Sequence, residues 1–202
     1  MLPCIITISR EFCTGGHHIA KKLADMLELP YYDKELITLA AKESGLSEEA
    51  VRQSENKRTG SLLYSLYSIS QELPLTDQVY LAQSKVIRDL ANQGPCVIVG
   101  RCADYVLRER PDCLQVFIHA GIEHRRARLH SQCPELREQD LDARIAKEDK
   151  KRAAYYNYYT QRRWGAAEQY HITIDSALGE DACVQILAQA ARAFAQKQKA
   201  GG

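Results

Sequence analysis

The sequence predicts an α/β fold in which helices cover both faces of a parallel sheet, and three observations lead there. Short apolar runs at residues 4–8, 96–99 and 114–118 suit strands buried on both faces. Stretches with helical spacing of apolar residues separate them, which favours parallel strands joined by right-handed helical crossovers, with ligands at the strands' carboxyl ends. Residues 4–28 join a buried strand, a short polar turn and an amphipathic helix, the shape of a loop that holds phosphate.

The chain of 202 residues, 45% apolar and 26% charged, is long enough for one core of ordinary size. Its formal net charge of +1 gives no global field to draw in nucleic acid or an anionic membrane, so anion binding must come from local clusters. The basic residues are also interleaved with Glu138, Asp142, Glu148 and Asp149, which argues against a continuous nucleic-acid surface. No apolar run approaches the roughly 18 residues of a membrane span, and the start of the chain lacks a signal-peptide pattern, so the expectation is a cytoplasmic protein. Seven cysteines without a C-x-x-C pair predict reduced, mostly buried thiols and no metal site. Cys13 stands apart, because its place before a helix N-terminus can lower a thiol pKa, although the same residue could fill space.

Taken in order, the β-branched run at 4–8 is a central strand. Ile19, Leu23, Met26 and Leu27 recur at helical spacing and predict a first helix ending before Leu29 and Pro30. Tyr31 and Tyr32 form a short strand, and Asp33 precedes a helix carrying Leu36, Ile37, Ala40 and Ala41 that Gly45 stops. Ser47, Glu48 and Glu49 begin another short helix with acids at its positive end. Residues 56–61 read as a loop and residues 62–69 as helix. A long helix from Asp77 is closed by Gly94 and Pro95. After the strand at 96–99, Gly100 and Arg101 turn into a helix with Tyr105, Val106 and Leu107, and Asp104 is expected on its surface. The strand at 114–118 leads to a basic helix over 123–130. A charged helix over about 140–154 follows, with Tyr155, Tyr156, Tyr158 and Tyr159 beyond it. A short strand at 171–174 precedes a final helix in which Cys183, Ile186, Leu187, Ala190, Ala191 and Phe194 mark the inward stripe, with residues 197–202 fraying.

The phosphate-loop pattern G-x-x-x-x-G-K-[ST] fits only in outline. With Gly15 as its second glycine, Arg10 falls on the first, Gly16 on the lysine and His17 on the hydroxyl. A backbone cradle is therefore predicted without its usual charge. Arg10 and Lys21 are the candidate replacements. Arg10 is preferred, and pairing of Arg10 with Glu11 or another acid is the competing reading. His17 and His18 face the turn, and an imidazolium is disfavoured at the positive end of a helix, so neutral donors to phosphate are expected. Because magnesium prefers oxygen, Mg2+ would be held mainly by phosphates and water, with Thr14 or an acid elsewhere. Arg125, Arg126 and Arg128 form one basic cluster; Arg144, Lys147, Lys150, Lys151 and Arg152 form another. Two such helices could close over nucleotide as a lid, or could simply be solvated faces. For Asp33 a helix cap and contact with an acceptor both stand, and for Asp104 surface placement is favoured over such contact. Packing is favoured over base stacking for the tyrosines.

In order, Ile8 to Glu11 with Gly15 and Gly16, residues 31–37, Val99 to Arg101, residues 125–128, Asp149, Arg152, Tyr155, Tyr156, Trp164 and residues 174–176 make the chain similar to the cytidylate-kinase-like proteins, within the nucleoside monophosphate kinases. The resemblance implies a three-layer P-loop NTPase-type core, a five-stranded parallel sheet with helices on both faces and a helical lid. It implies one domain over residues 1–202, with an acceptor-binding helical region at about 33–93 and the lid at about 123–165. The implied reaction is transfer of the γ-phosphoryl group of ATP, with Mg2+, to a nucleoside monophosphate such as CMP. Phosphoryl transfer needs positive charges aimed at oxygens that gather negative charge. Arg10, Arg128 and Arg152 are the candidate catalytic cations, with Thr14, Gly15, Gly16, His17, His18 and Arg125 on the donor nucleotide. In the family's pattern Asp149 and Arg152 resemble the lid pair that holds the acceptor, and Arg101 and Asp33 join Asp149 as acceptor ligands. The lost lysine and hydroxyl keep a second reading open, a non-catalytic nucleotide-binding or interaction protein with the same fold.

Overall fold

The computed structural model describes residues 4–33, 35–49, 51 and 73–200. Five strands form one sheet in the order β2-β3-β1-β4-β5. They are β1 (Ile5–Arg10), β2 (Tyr31–Tyr32), β3 (Val97–Val99), β4 (Cys113–His119) and β5 (Ile172–Asp175). Every pairing is parallel, and β1 lies between β3 and β4 with Ile8 opposite Val99 and Val116. The alternation of side chains along a strand explains why β1 is apolar throughout. Ile6 and Ile8 join one core with α1 (Gly16–Leu27) and the last helix, α7 (Glu180–Ala200), while Ile5 joins a second core with α3 (Leu75–Gln93).

Helix α2 (Glu35–Ser44) packs on α3, and residues 48, 49 and 51 are helical beyond Gly45. The loop expected at 56–61 and the helix expected at 62–69 lie outside the described residues. Helix α3 begins two residues before Asp77, directly after Pro74, whose fixed φ suits a helix start. The next helix, α4 (Ala103–Val106), is one turn long, and Asp104 on it is buried rather than on the surface.

The inward stripes differ from those expected. In α1 the buried side chains are Ile19, Ala20, Leu23 and Ala24, and Met26 is turned outward. In α7 they are Cys183, Val184, Leu187, Ala188, Ala191 and Ala195, and Ile186 is turned outward. The alanines set these arcs: small side chains let α1 and α7 approach closely, so the helices turn their alanines inward. Helix α7 also continues to Ala200 instead of fraying from Lys197.

Helix α5 (Ile122–Gln132) and helix α6 (Leu141–Thr160) form the arm over the carboxyl ends of the strands. Contrary to the expected end near residue 154, α6 runs through the tyrosines. Tyr156 and Thr160, one turn apart, are buried, and Tyr159 stacks on Tyr80 of α3 with ring centroids 4.0 Å apart. The left-handed Gln161 then closes the helix. Among the described residues no helix is long and apolar enough to cross a membrane.

Candidate active site

Strand β1 delivers Ser9 and Arg10 to the carboxyl edge of the sheet, and the chain then turns through Cys13 and Gly15, both left-handed, before α1 starts at Gly16. At φ 75° Gly15 sits where a side chain would be strained, and a Cβ there would lie 2.7 Å from the Arg128 guanidinium carbon. The turn holds its own shape. Thr14 Oγ1 donates to the Glu11 carbonyl at 3.0 Å and accepts from the Gly16 N–H at 3.3 Å. Asp149 Oδ1 accepts from the Phe12 N–H at 2.7 Å, and Arg125 donates to Asp149 Oδ2 at 2.5 Å and to the Phe12 carbonyl at 3.4 Å. Glu11 accepts from the Ala120 N–H at 3.1 Å and faces Arg125 at 3.4 Å. The result is a fixed turn beside a helix N-terminus, bordering a cavity of about 210 Å³ lined by Arg10, Gly15, His17, His18, Arg128 and Arg152 among others.

Arg10 occupies the space beside the missing lysine. A Cβ on Gly16 would lie 2.9 Å from both Cβ and Cγ of Arg10, and a Cβ on Gly100 would overlap its Nη1. One glycine therefore admits the stem and the other the head. Burial, with Arg152 and Arg101 close by, lowers the Arg10 guanidinium to about 10 despite Asp33 at 3.6 Å, which leaves it a cation at neutral pH. Arg152 donates to the Arg10 carbonyl at 3.0 Å and lies over the Phe12 ring. Both arginines line the loop cavity and a second one. Lys21, the other candidate, donates to Asp25 at 2.6 Å on the exposed side of α1. Arg10 thus pairs with an acid and also faces the loop cavity.

The second cavity, of about 300 Å³, opens between β3 and α6. Arg10, Arg101, Lys151 and Arg152 supply positive charge against the single carboxylate of Glu148, and Tyr155, Tyr156 and Trp164 supply aromatic wall. Gly100, Arg101 and Cys102 are three successive left-handed residues. Two of them carry side chains, a conformation that costs of order 1–3 kcal/mol per residue and tends to persist at functional sites. It directs Arg101 to Asp33, with Nη1 3.0 Å from Oδ1. The opposite oxygen, Oδ2, lies 2.9 Å from His17 Nδ1 and 3.4 Å from the Tyr31 hydroxyl. Burial alone would raise the Asp33 carboxyl, but Arg10, Arg101 and His17 outweigh it and hold the group below its ordinary value.

Of the predicted site residues, the fold gathers Arg10, Gly15, Gly16, His17, His18, Arg128 and Arg152 around the loop cavity, and sets Arg101 and Asp33 beside the second. Asp149, expected on the acceptor, faces the loop turn. Its two oxygens hold Phe12 and Arg125, and neither Asp149 nor Arg125 lines either of these two cavities. Thr14 borders the loop cavity, but its hydroxyl is buried and engaged within the turn. Cys13 packs with Leu129, Cys133 and Leu136, and burial raises its thiol pKa in spite of nearby arginines, so it fills space rather than reacts. All seven cysteines are free.

Sequence reasoning missed three acids. Asp104 accepts from the Tyr156 hydroxyl at 2.7 Å and the Ser9 hydroxyl at 3.3 Å, tying two wall residues of the second cavity together from behind, and burial raises its carboxyl. Glu11 braces the loop. Glu180 receives Arg128 at 2.7 Å, steadying that guanidinium over Gly15. A buried carboxylate on a one-turn helix leaves no periodic signal, and Glu180 reads as an ordinary acid in a first helical turn.

Among the described residues no group of three His, Cys, Asp or Glu side chains is placed to hold a metal ion.

The profile of the cytidylate kinase-like family matches residues 5–178. Among proteins of curated function none matches the sequence. Among solved structures, an uncharacterized protein from Eubacterium ventriosum ATCC 27560 is similar over 93% of this chain and 98% of its own, with a TM-score of 0.70 and 26% identity. A shikimate kinase from Bacteroides thetaiotaomicron is similar over 92% of this chain and 96% of its own, at 14% identity and a TM-score of 0.54. A gluconokinase from Sinorhizobium meliloti 1021 is similar over 98% and 94%, at 13% identity and a TM-score of 0.52. These likenesses establish a kinase-type fold, and the profile match over most of the length makes the chain a member of the cytidylate kinase-like family.

Proposed function

We propose that the protein transfers the γ-phosphoryl group of ATP to a nucleoside monophosphate, CMP being the first candidate, through a phosphate loop in which Arg10 supplies the charge of the absent lysine. The observation that carries this reading is the pair of adjoining cavities that share Arg10 and Arg152. The loop cavity has the helix N-terminus and backbone donors that suit the phosphates of a donor nucleotide. The second combines Arg10, Arg101, Lys151 and Arg152 with aromatic walls, a lining for an acceptor that has its own phosphate and a flat ring rather than for a neutral sugar. Arginines common to both cavities stand where charge accumulates as the phosphoryl group crosses. Magnesium would be carried by the nucleotide's phosphates and water. Helices α5 and α6 act as the lid, anchored to the loop by Asp149 and Arg125.

Coupled ADP-release assays across the nucleoside monophosphates test this reading. Turnover with one or more pyrimidine monophosphates is expected. ATP binding without turnover on any acceptor would instead support a non-catalytic nucleotide-binding protein.

A further inference from the structure

The position of His17 bears on how it can meet a phosphate. Its Nδ1 lies 2.9 Å from Asp33 Oδ2 and 2.8 Å from the Tyr31 hydroxyl. Asp33 is buried and held ionised by its arginines, so it can only accept a hydrogen bond. An Nδ1 without a proton would set its lone pair against a carboxylate oxygen at that distance. The carboxylate thus favours the hydrogen on Nδ1, directed at Asp33, with the Tyr31 hydroxyl donating to the same Oδ2 at 3.4 Å rather than to Nδ1. This leaves Nε2 as the nitrogen that can serve the loop cavity. In the neutral ring Nε2 then carries a lone pair, which repels a phosphate oxygen; only the imidazolium offers it an N–H. The expectation of a neutral donor thus conflicts with the hydrogen bond the ring makes.

We infer that His17 is a catalytic residue that binds the donor phosphate only as an imidazolium, taking up a proton at Nε2 when nucleotide arrives, and that Asp33 is the positioning residue that makes this uptake possible. The groups around His17 explain why nucleotide should be the trigger. The N-terminus of α1, Arg10 from β1, Arg101 from the β3 turn, Arg128 from α5 and Arg152 from α6 surround the region with positive charge. Lys21 reaches over the Tyr31 ring, His18 is a neighbour on α1, and Glu11 and Glu180 are committed to Arg125 and Arg128. Donor phosphates reverse the sign of this field, and Asp33 holds the opposite edge of the ring throughout. Uncharged, a histidine would be a poor replacement for a loop hydroxyl. Charged, it adds a cation where the loop has lost its lysine.

The inference rests on the nucleotide-binding part of the proposed function, and the test uses the full chain labelled with 15N and the non-hydrolysable analogue AMP-PNP. Long-range 1H–15N spectra at about pH 7.5, assigned with His17→Gln, report the protonation of each ring nitrogen. The expected result is an Nδ1–H ring with bare Nε2 in the free protein and both nitrogens protonated in the complex. In Asp33→Asn with AMP-PNP bound, the imidazolium signature is expected to be lost. A neutral His17 in the wild-type complex, or an imidazolium that persists in Asp33→Asn, overturns the inference while leaving nucleotide binding intact. No binding of AMP-PNP by calorimetry removes the donor-site reading and the inference together.

Discussion

The arginines of this protein fall into two populations, and the contrast between them shows what a basic cluster in a sequence does and does not mean. Around the phosphate turn, Arg10, Arg101, Arg125 and Arg152 are largely buried and held by backbone carbonyls or by carboxylates that are themselves fixed. On the outer faces of α5 and α6 and in the turn between them, Arg126, Arg144 and Arg137 pair with Glu123, Asp142, Glu148 and Asp140, mostly within a turn or two of helix. Exposed pairs of the second kind contribute little to stability and are screened by salt. The first kind sets geometry. Arg125 and Arg152 of the inner set come from the same stretches as the outer set, and helix phase separates them: Arg125 and Arg128 share one face of α5, as Asp149 and Arg152 share one face of α6.

The sharpest way to break this comparison is at its inner side. Arg10→Ala and Arg152→Ala should each lower turnover by about 10²- to 10³-fold, the scale of removing one preorganised donor from a developing charge, while thermal denaturation midpoints change little. Full activity in both variants would mean that the phosphate charges come from elsewhere. Next in size is Gly16→Lys, which restores the familiar loop lysine. Its Cβ would meet the stem of Arg10 at 2.9 Å, so turnover should fall instead of rise. Overpacking of this kind costs about 1–3 kcal/mol, to be read from chemical denaturation beside the kinetics.

Asp149→Ala probes a different part of the inner set. It removes the acceptor of the Phe12 N–H and leaves Arg125 buried without its nearest carboxylate, so unfolding free energy should drop by about 2–4 kcal/mol. The donor KM should rise more than the acceptor KM, because the clamp is on the phosphate turn. The reverse pattern would return Asp149 to the acceptor. Smallest of all is Arg126→Ala, on the outer side, where kcat should stay within about twofold and the melting temperature should be unchanged within error.

Much of the fold was legible because it rests on strong periodicities. The runs at 4–8, 96–99 and 114–118 are strands because both faces of the sheet are covered, and the Gly45 and Gly94 stops follow from backbone geometry. The misread helix stripes share one cause. Ile186 and Met26 are large and apolar at helical spacing, yet alanine contacts between α1 and α7 decided which arc faced inward. Around the site, sequence spacing brought Arg10 and His17 to attention, and the family resemblance brought Arg101 and Arg152. It could not separate Asp149 on the loop from Asp149 on the acceptor, since both place it on the same face of α6. Asp104 was misplaced because a four-residue helix has too few turns to reveal a buried side.

The fit of Arg10 against Gly16 also bears on evolution. A chain that exchanged this loop for one with a lysine would need a side chain at position 16 and a smaller residue at position 10. Either substitution made first leaves the loop crowded or short of charge, so the two positions are epistatic and single steps between the two designs cross a valley. Related loops should therefore hold the pair in one combination or the other, and a double exchange, Arg10→Gly with Gly16→Lys, is the shortest route from this design to the lysine one.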